Sequence, residues 1–225
     1  HRVEAFAPGN PMMDGLAKKE LPNNFATYRR LILLSGSRVP EAYQNFKKLL
    51  IAIQLIQHSS PLAVFLPLNS SSMSKTIKLI LIDLGFKSTY ESIDELGISE
   101  IWKKKSLLIL IGFNQFSSWA NWGEVGVANA GTATEQLVGL GIPCVSLPGK
   151  GPQFNFNFAK RQSRLLGGAV AIAKGYQALA KRVEFLLNSD FDRHAIGLRG
   201  SKRMGEVGGS HSLALIISTH LSQRS

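Results

Sequence analysis

The sequence has very little cysteine and no long apolar run. Its 225 residues include one cysteine, Cys144, so no internal disulfide and no cysteine-based metal site can form. A single thiol also fits the reducing cytoplasm. The longest continuous apolar stretch, Leu107 to Gly112, is far short of the ~20 residues that cross a bilayer. We therefore expect a cytoplasmic globular protein without a membrane span.

Acidic residues are also scarce. The chain has 15 Asp and Glu against 26 Lys and Arg, a net charge of +11. Such proteins concentrate near anionic surfaces. The cations are spread along the chain without interleaved aromatic residues, so we expect no nucleic-acid groove. An anionic ligand or an anionic membrane face fits the charge better, and simple solubility is the alternative.

Several common catalytic motifs are missing. No glycine-rich dinucleotide fingerprint follows the first apolar strand, and there is no P-loop, no metalloprotease helix motif and no nucleophile elbow. The histidines are scattered at His1, His58, His194, His211 and His220. We expect neither a metal site nor a cofactor, and we expect Trp102, Trp119 and Trp122 in the core.

The hydrophobic pattern predicts a doubly wound α/β domain. Strands that are apolar throughout alternate with amphipathic helices, which is typical of a parallel sheet covered on both faces. We expect residues 1–30 to be an irregular lead-in between domains, residues 31–190 to form the Rossmann-like domain, and residues 191–225 to be a loop over Arg193–Gly209 and a helix over Ser210–Leu221. The predicted strands are Arg30–Leu34, Leu62–Leu68, Ser106–Ile111, Val125–Asn129 and Ile142–Leu147.

Three turns that follow predicted strands suit a phosphorylated sugar ligand, because ligands of open parallel sheets bind beyond the carboxyl ends of the strands. In Gly36-Ser37-Arg38, the glycine permits close backbone approach to a phosphate and the arginine can bind two of its oxygens. An ordinary strand-to-helix turn is the alternative.

The second turn leads from Asn129 through Gly131, Thr132, Ala133 and Glu135 into a helix. The open helix N-terminus can hold a diphosphate, while Glu135 can accept hydrogen bonds from ribose hydroxyls. Plain N-capping with an acid favoured by the helix dipole is the alternative.

The third turn carries the amides Gln153, Asn155 and Asn157, which suit neutral sugar hydroxyls. A polar loop with a helix cap explains them as well.

The motifs in this order resemble the lipid-A-disaccharide synthase family. The resemblance rests on Gly9-Asn10-Pro11-Met12-Met13-Asp14, Leu33 to Arg38, Gly131 to Glu135, Gln153 to Asn157 and Arg203 to Ser210, so it covers nearly the whole chain. It implies the C-terminal, donor-binding half of a B-type glycosyltransferase, in which two Rossmann-like domains face each other across a cleft.

The resemblance also implies roles for individual residues. UDP would contact Gly36, Ser37, Arg38, Gly131, Thr132 and Ala133, with Glu135 on the ribose and the main chain at Phe113 near uracil. The sugar would contact Gln153, Asn155 and Asn157. Arg38 would stabilise the leaving UDP, and the general base would belong to an N-terminal acceptor domain. The chain begins with His1 rather than Met, which suggests that this domain is missing.

The implied reaction transfers an acylated or N-acetylated glucosamine from UDP to a sugar-lipid acceptor, at the inner face of a membrane. Three alternatives stay open at this point. A UDP-sugar 2-epimerase would use the same architecture, a basic module could bind anions or membranes without catalysis, and a Rossmann-like regulatory domain could have a vacant pocket.

Overall fold

A computed structural model describes residues 5–16, 19–89, 96–149, 151 and 154–222. Within these residues the chain forms a single mixed sheet flanked by helices. The strands are β1 (Arg29–Leu34), β2 (Leu62–Leu68), β3 (Lys87–Thr89), β4 (Glu100–Lys104), β5 (Leu107–Phe113), β6 (Val125–Ala128), β7 (Cys144–Ser146) and β8 (Val170–Ile172). The helices are α1 (Glu41–Ile53), α2 (Ser74–Asp83), α3 (Phe116–Trp119), α4 (Thr132–Gly139), α5 (Phe156–Leu165), α6 (Tyr176–Asn188), α7 (Asp190–Met204) and α8 (Gly209–Ser222).

The sheet has the order β3-β4-β5-β2-β1-β6-β7-β8. Six neighbouring strands of this sheet run parallel, namely β5, β2, β1, β6, β7 and β8. This confirms the doubly wound α/β prediction. The edge pair β3 and β4 runs antiparallel, which the sequence analysis missed. β3 is the edge strand, and β3 and β4 both carry partly exposed polar side chains in place of the continuous apolar run of the central strands.

The core has two layers, one on each face of the sheet. Along β1, Leu31 and Leu33 pack against α1, α2 and α6, whereas Ile32 and Leu34 pack on the opposite face. This alternation explains why the central strands are apolar at every position. All three tryptophans are buried, as predicted, and Trp119 and Trp122 stack at a centroid distance of 6.2 Å.

The region 193–209 is the clearest structural correction. The predicted loop is wrong, because α7 runs as a helix through most of it. Its glycines permit close helix packing: Gly197 lies against the carbonyl of Gly141, and a Cβ on Gly200 would be 2.5 Å from Cγ1 of Val138 on α4. The sequence did contain signals for both ends of this helix. Ser189 caps its N-terminus, acidic residues occupy its first turn, and basic residues occupy its last turn.

The start and the end of the chain are tied together. The side chain of Asn10 donates to the carbonyl of Met204 (2.7 Å), and the carboxylate of Asp14 accepts from the backbone N–H groups of Gly208 (2.5 Å) and Ser210 (2.8 Å). Hydrogen bonds from Ser210 and then from Gly208 lower the pKa of Asp14. The first motif of the family resemblance, Gly9 to Asp14, is therefore hydrogen-bonded to the last one, Arg203 to Ser210.

Among the described residues, none of the helices combines the length and the hydropathy that spanning a bilayer requires.

Candidate functional site

A cleft of about 560 Å³ opens at the carboxyl ends of the central strands. β1 lies between β2 and β6, so the chain winds toward one edge of the sheet after β1 and toward the other edge after β6. Such a switch in winding direction leaves a crevice, where open α/β sheets bind their ligands. The cleft residues are Leu34 to Arg38, Glu41, Ala42, Asn45, Pro67 to Asn69, Met73, Phe116, Asn129 to Ala133, Gln136, Phe154 and Phe158.

The turn after β1 forms one wall of the cleft. Gly36 has a φ of +89°, which an L side chain rarely adopts, and a Cβ there would lie 3.2 Å from the carbonyl oxygen of Asn129. Arg38 is exposed, and no salt bridge engages it within the described residues. Its carbonyl accepts the N–H of Ala42 (2.9 Å) at the start of α1. The guanidinium is therefore free for a ligand.

The N-terminus of α4 forms the facing wall. Its N-cap residue is Gly131, which has no side chain to cap the helix, and Thr132 and Ala133 follow it in the cleft wall. The hydroxyl of Thr134 turns back to the carbonyl of Ala130 (2.8 Å). The positive end of the helix dipole therefore opens into the cleft without a capping side chain, an arrangement suited to an anion.

Glu135 lies behind this wall rather than in it. Its carboxylate accepts from the side-chain amide of Gln162 (3.3 Å), which also donates to the carbonyls of Gly131 (3.2 Å) and Ala130 (3.3 Å). Gln162 is 4% exposed, and its own oxygen is buried without a partner among the described residues. Gln162 was not predicted as a site residue, because a polar residue inside α5 gives no signal of what it faces.

Two buried asparagines join the strand ends beneath the cleft, and both were missed as site residues. Asn129 accepts from the backbone N–H of Leu147 (3.0 Å) and donates to its carbonyl (2.7 Å). Its amide also lies 3.3 Å from Oδ1 of Asn45, whose amide donates to the carbonyl of Ser35 (3.2 Å). The polar Asn45 within the apolar face of α1 was the available signal.

Phe113, Asn155 and Asn157 are not among the described residues that line the cleft. Phe113 ends β5, its carbonyl accepts from the side chain of Gln115 (3.2 Å), and Phe116 lines the cleft instead. Asn155 caps α5 by accepting from the N–H of Phe158 (2.9 Å), and Asn157 is exposed. Gln153 lies outside the described residues. The sugar contacts of all three amides stay predictions.

The cleft combines cationic, amide and aromatic groups. Arg38 and the open α4 N-terminus suit phosphate oxygens, the amide of Asn69 suits hydroxyls, and Phe116, Phe154 and Phe158 offer ring surfaces. Glu41 is the one carboxylate among the described cleft residues. No group of three or more metal-binding side chains occurs in the described part of the chain.

No protein-family model and no curated protein sequence matches the chain. Solved structures do match its fold. A putative UDP-N-acetylglucosamine 2-epimerase from Listeria monocytogenes superposes with a TM-score of 0.61 at 12% identity, over 96% of this chain and 53% of that one. The UDP-GlcNAc 2-epimerase from Methanocaldococcus jannaschii, solved with UDP-GlcNAc and UDP, gives 0.53 at 18% identity, over 96% and 54%.

The third structure is a single domain. The C-terminal CMP-Kdo-binding domain of WaaA from Acinetobacter baumannii matches with a TM-score of 0.56 at 15% identity, over 80% of this chain and 91% of that domain. The chain thus spans about half the length of the two epimerases and most of this domain. The likeness establishes a Rossmann-like fold of the kind that forms one half of a B-type glycosyltransferase or epimerase.

Proposed function

We propose that this chain is the nucleotide-sugar-binding half of a UDP-sugar-dependent glycosyltransferase that resembles lipid-A-disaccharide synthase. The reaction would transfer an acylated or N-acetylated glucosamine from UDP to a sugar-lipid acceptor. One observation carries the proposal: the Gly36–Arg38 turn and the uncapped N-terminus of α4 line the same cleft, at the switch point of the sheet.

Each wall of the cleft would have its own task. The diphosphate would lie between Arg38 and the first turn of α4, where it meets a fixed positive charge and a helix dipole. As the bond between the sugar and UDP breaks, negative charge grows on the leaving diphosphate, and these two groups would stabilise it without a metal. The acceptor hydroxyl needs a general base, which we assign to an acceptor domain outside this chain.

The first test is nucleotide binding measured by calorimetry with UDP, UMP and uridine. A charge-assisted hydrogen bond contributes about 1.5–3 kcal/mol, so Arg38→Ala should weaken UDP binding by roughly 10- to 100-fold. Uridine has no phosphate, so its affinity should stay unchanged. Lys103→Ala, which removes one exposed cation from β4, is the matched control. Equal UDP affinity in wild type and Arg38→Ala would contradict the assigned role.

A second candidate is a UDP-sugar 2-epimerase. It is favoured by the two epimerases that superpose over 96% of this chain. Both reactions require the same groups to bind UDP, so the described cleft does not distinguish a transferase from an epimerase. Product analysis of a protein that includes the acceptor domain does: an epimer formed without acceptor indicates the epimerase, and a disaccharide formed with a sugar-lipid acceptor indicates the transferase.

A further inference from the structure

Helix α7 exposes apolar side chains where a surface helix normally has polar ones. Phe191 is 83% exposed and Leu198 is 56% exposed. They are seven residues apart, with the exposed Ala195 between them at i+4, so the three share one face. The opposite face of the helix packs inward through Gly197, Gly200 and Met204. The outer face therefore presents an apolar ridge to solvent.

Cations surround this ridge. Arg199, Lys202 and Arg203 are all exposed and line a groove along α7 with Ala195 and Leu198. No salt bridge engages these three cations within the described residues. The acids of the helix are already engaged, since Asp190 pairs with Arg193 (2.7 Å) and Asp192 with the hydroxyl of Ser189 (2.5 Å). We call Phe191, Ala195, Leu198, Arg199, Lys202 and Arg203 the α7 patch.

The α7 patch lies away from the cleft. Asp190 is 3.9 Å from Arg29 at the start of β1, and Gly197 contacts Gly141, which precedes β7. The side chains of Arg199 and Arg203 approach Gly167, which precedes β8. α7 therefore runs past the amino ends of the strands, whereas the cleft opens at their carboxyl ends.

We propose that the α7 patch is a contact surface for an anionic lipid membrane. A helix with exposed Phe and Leu beside unpaired cations matches the interface of a bilayer, where apolar side chains enter the acyl boundary and cations meet acidic headgroups. Nucleic acid fits less well, because Phe191 is the one aromatic residue of the patch and base stacking uses several. The three cations of the α7 patch account for part of the +11 net charge. Membrane contact through this patch does not depend on nucleotide binding.

Helix α2 provides a matched control surface. It exposes Leu79 and Ile82, each 59% exposed. Two of the cations next to it are neutralised, because Lys78 pairs with Glu100 (2.9 Å) and Lys47 pairs with Asp83 (2.7 Å). Among the described residues, Lys75 is the one exposed cation of α2 outside these pairs. An aliphatic side chain on α2 is thus as accessible as Leu198 but has one free cation beside it, whereas Leu198 has three.

The test is co-sedimentation of the full chain with vesicles of phosphatidylcholine, with or without phosphatidylglycerol. We expect binding to the mixed vesicles only. Arg199→Ala combined with Arg203→Ala should weaken it at least about tenfold at low salt, since each cation near an anionic surface contributes roughly fivefold. Leu198→Ser should weaken it several-fold at every salt concentration, whereas Leu79→Ser should not. Circular dichroism checks that each variant is folded.

Three results would overturn the proposal: equal binding by the α7 variants and wild type, an equal loss from Leu79→Ser, or α7 variants that lose affinity for an oligonucleotide while keeping that for vesicles. Because the patch and the cleft lie at opposite ends of the strands, the α7 variants should bind UDP like wild type. Failure of membrane binding and failure of nucleotide binding can therefore be told apart.

Discussion

Replacing Gly200 by alanine tests the packing of α7 directly. A Cβ at this position would lie 2.5 Å from Cγ1 of Val138 and 2.7 Å from Cβ of Ala169. Carbon atoms in favourable contact are about 3.5–4.0 Å apart, so α7 would have to move by about 1 Å or distort both neighbours. Overpacking of this kind costs about 1–3 kcal/mol.

Helix propensity acts in the opposite direction. Alanine is more favourable than glycine in a helix interior by about 1 kcal/mol, so higher helix propensity offsets about 1 kcal/mol of the steric cost of Gly200→Ala. We expect a net loss of up to about 2 kcal/mol in the free energy of unfolding. For a chain of this size such a loss lowers Tm by up to about 8 °C.

The reverse substitution in the same helix is the control. Ala195 is exposed, so Ala195→Gly changes helix propensity without changing packing and should cost about 1 kcal/mol. Urea denaturation measures both variants through the midpoint at constant m. Opposite substitutions should therefore both destabilise the protein. If Gly200→Ala were stabilising, as expected for an exposed glycine inside a helix, α7 would not pack as closely against Val138 and Ala169 as described here.

Three further outcomes are expected. Asn129→Leu leaves the N–H and carbonyl of Leu147 buried without their partner, so it should cost about 2–5 kcal/mol in urea unfolding. The pKa values of Asp14 and Asp190 are lowered in the folded protein, so both ionised carboxylates stabilise the fold above the ordinary carboxyl pKa of about 3.9. This stabilisation is lost as the pH falls toward the lowered pKa values of the folded state. Tm should therefore drop below about pH 4, and it should drop less steeply in Asp14→Asn. Burial raises the pKa of Cys144 to about 12, so a thiol reagent at pH 8 should react with the unfolded protein and not with the folded one.

The fold was largely readable from local patterns. β2 begins and ends where its apolar run predicts, at Leu62 and Leu68, and the other four predicted strands differ from β1, β5, β6 and β7 by one or two residues at their ends. The helix predicted over Ser210–Leu221 is α8. Short elements at the sheet edges were missed, namely β3, β4 and β8. Their few residues carry too little periodicity to identify, and neighbouring strands define them instead.

The candidate site was readable only in part. The turns at Gly36–Arg38 and Gly131–Ala133 could be located because glycines, hydroxyls and an arginine directly follow apolar strands, and the structure brings both turns to one cleft. Gln162 and Asn45 could not be assigned a role, since each is one polar residue on a helix. Their partners, Glu135 and Asn129, are 27 and 84 positions away in the chain.

By itself, the sequence determined which central segments are buried strands, where most of the covering helices lie, and that positive charge exceeds negative charge. These properties depend on residue type and local spacing, which are written along the chain. Tertiary structure alone decided that the glycines of α7 serve close helix packing, that Glu135 faces Gln162, and that the apolar ridge of α7 points to solvent. Each of these depends on which distant residue lies within a few ångströms, and burial and hydrogen bonding between distant residues become defined only when the sheet has assembled.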